Sequence, residues 1–105
     1  MIRVSVFYPN TPGSHFDVDY YVAHHRPLSL SLLSPAIRGF AVDRGVSAGP
    51  PGTLPAYHAI GHLMFDSADA FYAVFASVAE ALGEHVSRFT NVEPVVQISE
   101  IVHAQ

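Results

Sequence analysis

The chain has 105 residues, half of them hydrophobic and 13% charged, with a formal net charge of -4. That length fits one domain spanning 1–105, and so apolar a balance points to a second subunit covering part of its surface. The basic residues are all arginines, dispersed at positions 3, 26, 38, 44 and 88, so there is no basic stripe for nucleic acid. There are no cysteines, which excludes disulfides, zinc–thiolate centres and thiol catalysis. No apolar run reaches membrane-spanning length, and the first residues read as a strand rather than a signal peptide, so a cytoplasmic protein without a membrane partner is expected.

Ile2 to Tyr8 alternates and is rich in β-branched residues, which predicts a strand. Pro9 to Ser14 is a turn cluster. Asp17 is placed to cap a helix, with Phe16 and Tyr21 as a hydrophobic staple. This helix runs to about Ser34-Pro35, and Pro27 should kink or break it, because proline cannot bond back to the Ala23 carbonyl. Tyr21, His25, Leu28 and Leu32 fall at i, i+4, i+7 and i+11, one helical face.

Phe40 to Val46 predicts a second strand, Ala48 to Pro55 a loop with glycines and prolines, and Tyr57 to Phe65 a third strand. Asp66 or Ser67 caps a second helix with Phe71, Phe75, Val78 and Leu82 as its apolar stripe, ending at Gly83. Val95 to Val102 is the last strand. The order β-α-β-β-α-β is the split-βαβ pattern of a ferredoxin-like α+β sandwich, with the first and third strands central and both helices on one sheet face.

Strand alternation sorts the central strands into two sets. Ile2, Val4 and Val6, with Ala59, Gly61, Leu63 and Phe65, suit packing under the helices. Arg3, Ser5 and Phe7, with His58, Ile60, His62 and Met64, mix polar and apolar groups. Such a face suits the wall of a cavity closed by a second sheet, so a homodimer through sheet faces is expected, enclosing a small apolar ligand.

The candidate catalytic residues are His25 and His62. His25 has two readings: a core histidine bonded to a backbone carbonyl, or a general acid/base at a cavity edge, since imidazole titrates near neutral pH. Adjacent helical residues differ by about 100°, so only one of His24 and His25 faces the cavity squarely, and the sequence leaves open which. His62 either lines the pocket or faces solvent. Tyr21 serves either packing or hydrogen-bond donation to a carbonyl. Ser5, Phe7, Ile60 and Met64 are assigned to the substrate wall, with His58 at its rim. His58 and His62 are too far apart along a strand for one compact metal clip, so no metal is expected. His15, His85 and His103 read as surface residues, Asp17 and Asp66 as caps, and Asn91 as a turn residue.

These elements carry a resemblance. Phe7-Tyr8-Pro9-Asn10 with Pro12-Gly13, Asp17 with Tyr20-Tyr21, and His25-Arg26-Pro27-Leu28 resemble the EthD family, named for ethyl tert-butyl ether degradation. Phe65-Asp66-Ser67 with Phe71, Phe89-Thr90-Asn91, Pro94 and Gln97-Ile98-Ser99-Glu100 extend the likeness over nearly the whole chain. The resemblance implies a dimeric α+β barrel, a superfamily that includes polyketide cyclases, muconolactone isomerases, cofactor-free monooxygenases and haem-degrading enzymes. The family histidine carries over onto His25 alone. The expected function is a cofactor-independent enzyme of cyclase, isomerase or dehydratase type on a small apolar or aromatic substrate. The alternatives are a binding or accessory protein for an oxygenase or degradation pathway, and a haem-binding barrel.

Overall fold

Strand β1 (Ile2–Pro9) lies at the centre of a four-stranded antiparallel sheet, in the computed structural model that describes residues 1–104. Its neighbours are β3 (Tyr57–Phe65) and β4 (Val95–Glu100), and β2 (Gly39–Arg44) pairs with the far side of β3, giving the order β2-β3-β1-β4. The central strands are those expected of the ferredoxin-like α+β fold. The pairs Val4↔Leu63 and Val6↔Gly61, continued by Leu63↔Phe40 and Val4↔Ile98, place the smooth apolar set of every strand on one face.

Helical segments cover that face: α1 (Val18–Tyr20), a π-helical turn (Tyr21–His25), α2 (Arg26–Leu33), α3 (Ala68–Phe75) and α4 (Ala79–Val86). Asp17 caps α1 by accepting from the Tyr20 amide at 3.0 Å, and the rings of Phe16 and Tyr21 meet at 5.3 Å as the staple requires. Ser67 caps α3, whereas Asp66 instead takes a 2.9 Å ion pair from Arg38.

The helix does not end at Pro27; the interruption expected there takes the form of a π-helical turn just before it. The Arg26 amide bonds to the Tyr21 carbonyl, five residues back, so the wide turn absorbs the missing donor and the bulk of the ring. The extra residue also turns the next helix on its axis. The face becomes Tyr21, His25, Ser29 and Leu33, all buried, while Leu28 and Leu32 are only partly covered. Turns of this kind recur at functional sites.

The helical region after Ser67 does not stop at Gly83. It breaks earlier, around Ala76 to Val78, and resumes through Gly83 to Val86. Continuation lets α4 bring Phe89 into the core, where it is 1% exposed. The strands are slightly shorter than expected, ending at Arg44 and Glu100.

Phe89-Thr90-Asn91 ties α4 to the start of α1. The Asp17 amide donates to the Phe89 carbonyl at 2.8 Å, and the Thr90 hydroxyl to the His15 carbonyl at 2.6 Å. Asn91 accepts from the His15 amide and donates to the Gly13 carbonyl. These bonds fix two segments far apart in sequence, and the candidate site lies where they meet. Among the described residues, no helix is long and apolar enough to cross a membrane.

Candidate active site

A cavity of about 380 Å³ lies between the helices and the sheet. Val4, Val6, Phe40 and Leu63 form its floor, and Phe71, Phe75, Leu82 and Val86 its roof. Tyr72 and Val96, each 55% exposed, also line it, so it reaches the surface between α3 and β4. Against this apolar lining stand the side chains of Tyr8, Tyr21, His25 and Ser29.

The two tyrosines come from different logic. Tyr8 continues the alternation of Val4 and Val6 under the helices, and Tyr21 opens the π-helical turn. Burial raises the Tyr8 phenol above the ordinary tyrosine range, helped by Tyr21. Burial also pushes Tyr21 up to about 12, with the Tyr8 hydroxyl pulling the other way. Both are neutral O–H groups at physiological pH. Their rings pack edge to face, 5.7 Å apart, and both touch Phe16 and Phe89.

Tyr21 fits because position 61 has no side chain. A β-carbon there would stand 2.6 Å from the Tyr21 hydroxyl. The ring is hemmed in by Tyr8, Phe16, His25, Phe40 and Phe89, so it has no easy retreat. Gly61→Ala is therefore expected to destabilise the fold by about 1–3 kcal/mol through overpacking, read as a shift in the urea midpoint. An unchanged midpoint would show that Tyr21 is mobile.

His25 is 7% exposed and its Nδ1 meets Nδ1 of His85 at 2.9 Å, the rings lying nearly parallel at 14°. The Ser29 hydroxyl donates to the His25 backbone carbonyl at 2.8 Å. Burial, and secondarily the charge on His85, lowers the His25 pKa to about 4, so the ring is neutral at pH 7. His85 is shifted the same way by desolvation, then by the positive charges of Arg88 and His24. In a neutral pair one Nδ1 carries the proton and the other accepts it. That leaves Nε2 as the ring nitrogen of His25 without a protein partner among the described residues.

This burial makes stability depend on pH. Between about pH 6.5 and about 4 the unfolded chain binds a proton at position 25 that the folded chain refuses. Stability should therefore fall as pH drops through that window, by about 1 kcal/mol at pH 5.5 and on the order of 3 kcal/mol by pH 4. Urea midpoints at pH 7.5 and 5.5, compared between the native chain and His25→Asn, check this. Equal slopes in the two proteins would refute a buried neutral imidazole.

The remaining sequence candidates lie elsewhere. Ser5, Phe7, Ile60, His62 and Met64 sit on the opposite, helix-free face, and none of them lines the cavity. His25 and His62 thus do not share a void within the subunit. His62 bonds instead to Asp43 at 2.8 Å. His58 leaves the alternation, because the register slips between Tyr8 and Pro9 and gives β3 an extra residue. Its ring turns to Phe16 and Ser14, and Tyr57 takes its expected place beside Phe7. His24 is exposed, which settles that His25 is the inward member of the pair.

Three polar residues of the site, Tyr8, Ser29 and His85, are not among the sequence candidates. Tyr8 enters the sequence reading only as the end of a strand and within Phe7-Tyr8-Pro9-Asn10, and Ser29 turns inward through the phase shift at the π-helical turn. His85 reads as a surface residue as long as its helix is ended at Gly83. Extending the stripe from Leu82 by three and then four residues reaches His85 and Phe89, and that spacing is the available signal.

An EthD domain matches residues 14–93, more than half of the chain. An EthD-like protein from Ralstonia eutropha JMP134 is 34% identical, with 99% of this chain and 94% of that one covered and a TM-score of 0.93. The chain belongs to the EthD family. An ethyl tert-butyl ether degradation (EthD) family protein from Bacillus halodurans C-125 shares the fold at 15% identity, covering 95% and 97% of the two chains with a TM-score of 0.64. So does a dimeric protein of ferredoxin-like fold from Bacteroides fragilis NCTC 9343, at 15% identity, 94% coverage of both chains and a TM-score of 0.54. No curated protein matches the chain.

Proposed function

We propose that this EthD-family chain is a cofactor-independent enzyme that moves a proton on a small apolar or aromatic carbonyl compound, in a reaction of cyclase, isomerase or dehydratase type. The observation carrying this reading is a neutral imidazole set against an apolar cavity beside two protonated phenols. The volume of about 380 Å³ is within the range of small-molecule sites. Nε2 of His25 takes the proton α to the carbonyl. The hydroxyls of Tyr21 and Tyr8 donate to the carbonyl oxygen as negative charge builds on it, and the dry walls strengthen those bonds. The apolar lining orients the substrate.

A homodimer through the helix-free sheet faces belongs to the same reading. That face carries Phe7, Ile60 and Met64 with exposed Tyr57 and Val95, a mixed surface suited to a second copy. In this arrangement His62 serves the interface, beside Asp43, rather than the cavity. The second functional reading, a binding or accessory protein, rests on the predominance of apolar side chains in the lining.

The test is a panel of small aromatic and aliphatic ketones, lactones and β-dicarbonyl compounds, scored for a rise in melting temperature and for solvent deuterium entering the α-carbon. Binding with deuterium incorporation is the expected result. Binding that never exchanges a C–H proton would establish the accessory role instead.

A further inference from the structure

The surroundings of His25 oppose its role as a lone base. A buried imidazole enclosed by Tyr21, Phe89 and apolar side chains resists becoming a cation, which makes it a poor terminal proton acceptor. Yet its inner nitrogen has a direct partner that is itself an imidazole. His85 does not line the cavity and is partly exposed in the last turn of α4. Two rings joined Nδ1 to Nδ1 place their free Nε2 atoms at opposite ends of the pair. One end belongs to the cavity-lining residue and the other to the partly exposed one.

We propose that His85 is the outer half of a two-imidazole relay that passes protons between the cavity nitrogen of His25 and solvent. The proposal rests on the acid/base reading of His25. The atoms balance without any charged ring. The substrate proton bonds to Nε2 of His25, the Nδ1 proton of His25 moves to Nδ1 of His85, and the Nε2 proton of His85 leaves to water. Both rings end neutral with their tautomers exchanged. In the exchanged state Nε2 of His25 carries a proton and serves as an acid. One pair therefore supplies both the base and the acid that an isomerisation or dehydration needs.

The surroundings fix this geometry. His85 is packed by Tyr20 at 5.8 Å, and Tyr20 in turn meets the tilted ring of His24 at 4.5 Å. Phe89 contacts both imidazoles, at 4.7 Å from His25 and 6.4 Å from His85. The bonds of Phe89, Thr90 and Asn91 to the segment before α1 hold the two helices in this register. Arg88 places positive charge near the outer ring, which favours release of its proton.

The first test needs no substrate. In long-range ¹⁵N spectra of the intact chain at pH 7.5, His25 and His85 are expected as opposite tautomers, with a scalar coupling across the shared proton that is lost in His85→Phe. Two independent Nε2–H tautomers without that coupling would overturn the relay, whatever the cavity binds. The second test uses a substrate found by the panel. His85→Phe, which keeps a ring at that position, should lower kcat about 10²-fold with KM unchanged. Added imidazole should restore rate in His85→Ala. Unchanged kcat in His85→Phe would overturn the relay yet leave His25 as the reacting base. Undiminished turnover in His25→Ala would overturn the underlying reading itself.

Discussion

In His25→Ala, turnover of the panel substrate is expected to fall about 10²- to 10⁴-fold, the usual worth of a positioned acid/base group. KM should change far less, because the apolar walls and the two phenols remain. The loss should show in kcat and kcat/KM alike, as for an interaction made only in the transition state. Deuterium exchange at the α-carbon should vanish with it. Because position 25 is buried, the variant must be checked by melting temperature and by oligomeric state before its rate is interpreted. His25→Gln provides a second measurement that fills the space without a ring base. If either folded variant keeps near-native turnover, proton transfer belongs to another group.

Phe89→Ala should bring the largest loss of stability, about 3–5 kcal/mol, as for other fully buried aromatic truncations. The ring is 1% exposed and stands within 4.7–5.7 Å of the rings of Tyr8, Phe16, Tyr21 and His25. Each edge-to-face contact adds to simple burial. Its backbone bond to Asp17 would survive the substitution, so the deficit reports on packing alone. Chemical denaturation is the measurement. A cost below about 1.5 kcal/mol would mean that this aromatic cluster collapses around the void and is not the rigid support of the site. Some loss of activity should accompany the loss of stability, since Phe89 touches both imidazoles.

The fold is readable because strand alternation and helix caps are local signals. Ile2, Val4 and Val6 against Ala59, Gly61, Leu63 and Phe65 identify the helix-side face from the sequence alone, and Asp17 and Ser67 mark where helices begin. The site is only half readable. His25 and Tyr21 stand on one helical face under any reading of the turn between them. Their partners depend on features without a local signature. The slip that redirects His58 arises from pairing with β1. The π-helical turn replaces Leu28 and Leu32 with Ser29 and Leu33, because one added residue shifts the phase of everything after it. Gly83 looks like a terminator because glycine commonly ends helices. Here the burial of Phe89 and the bonds of Thr90 and Asn91 outweigh that propensity, and they are visible only once distant segments meet. The sheet face that bears the cavity is hidden for a related reason. A mixed polar surface reads as a binding wall, while the space on the other side is bounded by Val4, Val6 and Leu63 of the sheet and by Phe71, Phe75 and Leu82 of the helices, and it exists only once those layers are packed.

The wide turn at Tyr21–His25 makes segment length an element of the chemistry. A chain shorter by a single residue there could wind as an ordinary helix, with Asp17 still at its head and Leu33 still in the core. Both flanks would keep their facing, because the wide turn is what absorbs the added residue. Phenol and imidazole would then stand three positions apart instead of four, about 60° from one another around the axis. Kin of this chain that have lost that one residue would keep the architecture but alter the spacing of the two groups, whatever amino acids they carry nearby.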